Sequence, residues 1–193
     1  MELIVTETAQ SKPRLVYCPQ GGAVLINREN SKIAGAYTTG MTACEPFAIH
    51  CSNTQRSVFI HLDAAERLDN LDYLIEWVKN KEAEQAYNIL VIDPGEWDNY
   101  KLTKKYKQNL KQVKDTRPSA YINEHGEILE FEESTLEGQY KIDQEYNDTP
   151  PDWHKYKDDE SSRNIVSLVD TSKGFIVFDG SRYLTYEEIK GRL

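Results

Sequence analysis

Residues 44–63, CEPFAIHCSNTQRSVFIHLD, constrain the fold more than any other stretch. Two runs rich in β-branched and aromatic residues flank a polar break, the pattern of a β-hairpin. Side chains alternate faces along a strand. Phe47, Ile49 and Cys51 therefore share one side of the first arm, and Val58, Ile60 and Leu62 the matching side of the second. These six mark that side as core. The opposite side carries Cys44, Pro46, Ala48 and His50, then Ser57, Phe59, His61 and Asp63. It is expected to turn away from the interior. A one-residue slip would move the apolar row into solvent, which leaves two registers. A loop of residues 52–55 sets Pro46 opposite His61 and Cys44 on the diagonal. A tighter loop sets Cys44 directly opposite His61. Both bring thiol and imidazole within reach, because direct and diagonal cross-strand neighbours interact. His50 lies six residues along the arm from Cys44, about 20 Å away at the rise of an extended strand. Cys51 points into the core and is expected to be inert.

Around this hairpin the chain reads as alternating strands and helices. RLVYC, AVLINREN and KIAGAYTT, between residues 14 and 39, have strand character and are parted by turn residues such as PQGG. Leu68, Leu71, Ile75 and Val78 recur at helical spacing over 64–80. YNILVID forms a compact strand-like run ending at Asp93. A second helix is expected over 98–114, with Leu102, Tyr106, Leu110 and Val113 as its stripe. SAYINEHGEILEFEE predicts a hairpin about His125-Gly126. Residues 137–164 are acidic and turn-rich, and read as a long surface loop. IVSLVD, GFIVFDG and RYLTYEEIK close the chain as two strands and a short terminal helix or strand. The 193 residues suit one domain with its own core, and no internal repeat or linker stands out.

Charge and composition narrow the partners. A net charge of −9 argues against nucleic acid, because neutralising phosphates takes a surplus of Lys and Arg. No apolar run approaches the length of a membrane helix, and the start MELIVTETAQSKPR lacks the basic and apolar regions of a signal peptide. Three cysteines, none in CxxC spacing, argue against a zinc knuckle or a disulfide framework. No metal ligand set is expected, and reduced thiols in a cytosol-like compartment are.

The chemistry concentrates between residues 38 and 63. Gly40 and small neighbours precede Cys44, so the backbone amides at Ala43 and Cys44 are placed to hold an oxyanion. Thr38 is placed to bond the far nitrogen of His61, giving a nucleophile, a base and an orienting group. Asp63 either tunes His61 or caps the following helix. Elsewhere, the lysines of 101–114 offer an acidic target a docking face or form a plain solvated face. The CPQGG stretch at Cys18 lines the cleft or is an ordinary turn. The loop with Trp153 and His154 is a recognition lid or a surface segment.

The spacing Thr38, Cys44, His61 resembles that of the chemoreceptor glutamine deamidase CheD. TAC…FIHLD is also similar to the SGC…HID signature of Burkholderia lethal factor and the cytotoxic necrotizing factor deamidases, and to a C…H-x-D stretch of protein N-terminal asparagine amidohydrolase. The match covers about 30 residues, on the scale of short motifs. After the histidine, Leu62-Asp63 stands where CheD has Leu-Pro, which favours a divergent, toxin-like branch. The resemblance implies a mixed α/β fold, with a largely antiparallel β-sandwich core flanked by helices. It implies a thiol-dependent protein glutamine deamidase, with no metal or organic cofactor. Cys44 as thiolate attacks the carboxamide carbon; His61 favours the thiolate and protonates the departing ammonia; Thr38 orients His61. The substrate is a protein with an exposed Gln, met in the cytoplasm or in a host cytosol to which the chain is delivered as an effector without a classical signal peptide. Water gives deamidation and an amine gives transglutamination. The alternatives are a non-catalytic protein-binding module on the same fold, an asparagine amidohydrolase-like activity, and, more distantly, a cysteine peptidase.

Overall fold

A computed structural model describes residues 12–29, 32–40, 44–62, 71–80, 88–91, 120–125, 127–130, 136–153, 165–172, 174–178, 182–185 and 188. They form a strand-rich, mixed α/β fold of two six-stranded, largely antiparallel sheets. The strands are β1 (Arg14–Tyr17), β2 (Gly22–Asn27), β3 (Ile33–Thr38), β4 (Glu45–Cys51), β5 (Arg56–Leu62), β6 (Asn88–Val91), β7 (Ala120–Ile122), β8 (Ile128–Glu130), β9 (Lys141–Glu145), β10 (Val166–Thr171), β11 (Gly174–Phe178) and β12 (Tyr183–Thr185); α1 (Leu71–Val78) lies between β5 and β6. The first sheet runs β12-β11-β10-β3-β1-β9 and the second β6-β4-β5-β2-β7-β8. Consecutive strands β1, β2 and β3 alternate between the sheets. As a result β1 and β3 meet in parallel, with β2 acting as their crossover.

The core lies between the sheets. Val16, Cys18, Ala36, Val166, Leu168, Phe175 and Val177 from the first sheet pack against Val24, Ile26, Ala48 and Phe59 from the second. Ala48 and Phe59 are on the hairpin side expected to face away from the interior, so that expectation is corrected. The second sheet is covered on both sides. α1 lies against the far sides of β4 and β5, burying Leu74 and Val78 there, while Ile49, Val58 and Ile60 have no exposure. The sequence misleads because the inward side carries His50, Ser57 and His61, all polar yet all buried. They are tolerated because each finds a hydrogen-bond partner. His50 Nδ1 lies 2.8 Å from Ser57 Oγ, and the His50 ring meets Phe175 edge-on at 4.7 Å.

The hairpin register is the four-residue-loop alternative: Pro46 faces His61, Ala48 faces Phe59 and His50 faces Ser57. The hairpin about His125 is present as β7 and β8. There Asn123 Oδ1 accepts from the backbone N–H of His125 at 3.0 Å and of Glu127 at 2.9 Å. Within the expected loop of 137–164, the described residues 137–153 differ from a plain loop. They contain a short 3-10 turn at Glu137–Gln139 and β9, which pairs with β1 at the sheet edge. Lys141, Asp143 and Glu145 are exposed there, and such charge on an edge strand hides its strand character while discouraging edge-to-edge pairing. Residues 146–153 then run over the outer side of the first sheet, with the Trp153 ring 5.0 Å from Tyr37 and the Tyr183 hydroxyl donating to the Pro151 carbonyl. Of the closing RYLTYEEIK, Tyr183–Thr185 form strand β12 and Glu188 is helical; its residues 186, 187, 189 and 190 lie outside the described residues. The helix expected over 98–114, and His154, lie outside the described residues, as do Asp63 and Ala43. Among the described residues no helix is long and apolar enough to cross a membrane.

Candidate active site

Thr38 ends β3 in the first sheet, and His61 lies near the end of β5 in the second. Their side chains meet across the gap between the sheets. Thr38 Oγ1 is 2.6 Å from His61 Nδ1 and 2.9 Å from the Cys18 carbonyl oxygen. Thr38 has no exposure and His61 3%, so these bonds form away from competing water. Together they define a direction. A carbonyl oxygen has no proton to give, so the Thr38 hydroxyl donates to Cys18. Its single proton is then committed, and His61 Nδ1–H must donate to Thr38. In the neutral ring this fixes the tautomer: Nε2 is then the lone-pair nitrogen, the form a general base needs.

Cys44 directly precedes Glu45, the first residue of β4 paired in the hairpin. Strand alternation, continued one residue beyond β4, would set it on the side of Pro46, Ala48 and His50, the side His61 shares. Because Pro46 faces His61, Cys44 is the diagonal neighbour, about 7 Å away at Cβ for such pairs. Of the three cysteines, Cys18 and Cys51 are buried and Cys44 is half-buried. A nucleophile must be reachable, and Cys44 alone combines access with a place beside an oriented imidazole.

The turn between β1 and β2 has more weight here than its sequence suggested. The Gly22 N–H donates to the Pro19 carbonyl at 2.9 Å, and Gly21 has φ +79°. This is a turn with its third residue in the left-handed region, where glycine is favoured. The chain crosses from one sheet to the other through it. At its start it presents the Cys18 carbonyl that receives Thr38. Near its end the Gly21 N–H donates to the His61 carbonyl at 2.8 Å. One turn thus anchors His61 twice, through the side chain and through the backbone. The Cys-Pro-x-Gly-Gly pattern was the available signal, but its partners are 20 and 40 residues distant in sequence.

Of the other site residues expected, Asp63 and the oxyanion amide of Ala43 lie outside the described residues, and the amide of Cys44 stands just ahead of β4. Of the described part of the acidic segment, residues 146–153 cover the outer side of the first sheet, whereas Tyr140 joins the core between the sheets. Among the described residues no three His, Cys, Asp or Glu side chains gather as metal ligands do. No protein-family model matches the sequence, and no curated protein matches it.

Proposed function

We propose that the chain is a thiol-dependent amidohydrolase acting on protein glutamine. The observation that carries this reading is the chain from the Cys18 carbonyl through Thr38 to His61 Nδ1, with a half-buried Cys44 directly ahead of β4, two residues before the Pro46 that faces His61. In the proposed reaction His61 Nε2 takes the Cys44 proton, and the thiolate attacks the carboxamide carbon. The tetrahedral oxyanion is held by backbone amides near Cys44. Collapse breaks the C–N bond, and the imidazolium proton leaves with ammonia. His61 then deprotonates a water that attacks the thioester, releasing glutamate and restoring the thiol. Ala43 keeps its proposed part in the oxyanion site, and Asp63 its two alternatives, tuning His61 or capping the helix that follows.

Two measurements test this. Iodoacetamide at neutral pH should label Cys44 faster than Cys18 or Cys51, and His61→Ala should remove that advantage. Peptide mapping of a lysate treated with wild type or Cys44→Ser should find Gln-to-Glu conversions that need the thiol. Equal, slow labelling of all three cysteines, with no such conversions, would favour the protein-binding module.

A further inference from the structure

We propose that Tyr140 is a positioning residue for His61, acting through the glycine turn; this rests on the reading of Cys44 and His61 as the reacting pair. Tyr140 directly precedes β9. Because Tyr17 pairs with Lys141, the antiparallel register carries Tyr140 alongside Cys18. From this edge of the first sheet its hydroxyl reaches the second. It accepts from the Ala23 N–H at 3.1 Å and donates to the Ala23 carbonyl at 3.3 Å. Ala23 is paired with Ile60, the residue before His61, and follows the glycine turn immediately. The hydroxyl also needs Gly22 to be glycine. A Cβ there would stand 2.6 Å from Tyr140 Oη and 3.0 Å from the Pro19 carbonyl oxygen.

Tyr140 is thus a second tie between the sheets, beside the one made by Thr38 and His61. The two ties share a turn. If Ala23 and Gly22 shift, the Gly21 N–H moves relative to the His61 carbonyl, and the Cys18 carbonyl moves relative to Thr38. Both would loosen the ring whose Nε2 must meet the thiol. Small displacements of a reacting group are expensive in rate: misplacement by ~1 Å can cost about 100-fold. The sequence offers no hint of this, because Tyr140 stands in a segment that reads as loop.

The test is Tyr140→Phe in the full chain, which keeps the ring and removes only the hydroxyl. Two readouts are taken: the His61 tautomer from the ring ¹⁵N shifts, and the pH profile of Cys44 alkylation. Wild type should show His61 as the Nδ1–H form. Tyr140→Phe should mix the tautomers and slow Cys44 alkylation at neutral pH about tenfold or more, with Cys18 and Cys51 still protected. General loosening of the fold would instead expose Cys18 and Cys51. Gly22→Ala, which crowds the same hydroxyl from the other side, should reproduce the effect and serves if Tyr140→Phe does not fold. Retention of the Nδ1–H form and of the wild-type alkylation rate in both variants would overturn the proposal. If wild-type Cys44 is unreactive while His61 holds its tautomer, the deamidase reading falls, and the tautomer comparison still decides the role of Tyr140.

Discussion

Replacing Thr38 by Val tests the relay with the least disturbance of packing, since the two side chains have nearly the same shape. The hydroxyl satisfies two groups, the Cys18 carbonyl and His61 Nδ1–H. Cys18 and Thr38 have no exposure and His61 has 3%, so water cannot easily replace it. A buried polar group left without a partner costs ~1–3 kcal/mol. Two such groups give roughly 2–6 kcal/mol, and relaxation of the imidazole toward its other tautomer favours the lower half, about 3 kcal/mol. For a chain of this size that corresponds to a fall in Tm of about 6–12 °C. Thr38→Ser is the control. It keeps the hydroxyl and loses one buried methyl, about 0.8 kcal/mol. Urea unfolding should therefore place Val about 2 kcal/mol below Ser, with an unchanged slope on denaturant. The Cys44 alkylation advantage should survive in Ser and vanish in Val. Equal stability of the two variants, to within about 0.5 kcal/mol, would show that the hydroxyl bonds neither group usefully, and the tautomer argument would fail with it.

Three further outcomes follow from the same contacts. Burial holds His50 down at about 4 from 6.5, so its contribution to stability is present above about 6.5 and is lost as pH falls toward 4, a change of roughly 3 kcal/mol. Asp170, pushed up to about 6 by burial despite the Arg28 guanidinium beside it, works the other way, its contribution being lost as pH rises through 6. The two slopes oppose each other between pH 4 and 6. Asp170→Asn should therefore unmask a steep gain of stability with pH in urea titrations; a flat profile in that variant would rule out a neutral, buried His50. Arg56 lies over the Trp77 ring at 5.1 Å and donates to the Trp77 carbonyl at 3.0 Å, tying α1 to the hairpin. Arg56→Ala should cost about 2 kcal/mol in chemical denaturation, and Lys should recover only part of it because it lacks the planar fork. Gly21→Ala places a Cβ at φ +79°, and should cost roughly 1–2 kcal/mol and slow Cys44 alkylation; an unstrained, fully reactive variant would detach the turn from the site.

What the sequence determined by itself was local. The hairpin's apolar row and the length of its polar break restrict the register to two choices, and both set Cys44 and His61 on one side. That holds because alternation and turn length are properties of neighbouring residues. The structure selected the longer loop, and with it the diagonal placement. Other features depended on which sheet each strand joined. The inward side of the hairpin is not legible in the sequence, because His50, Ser57 and His61 look solvated until Phe175 and Thr38 arrive from the opposite sheet. Strand β9 reads as loop in the sequence because an edge strand carries charges that no core demands. The CPQGG turn looked ordinary because its meaning lies in crossing from one sheet to the other, which brings the Cys18 carbonyl to Thr38 and the Gly21 amide to His61. Those partners become neighbours only when two sheets close over a common core, and burial then makes each hydrogen bond between them costly to leave unmade.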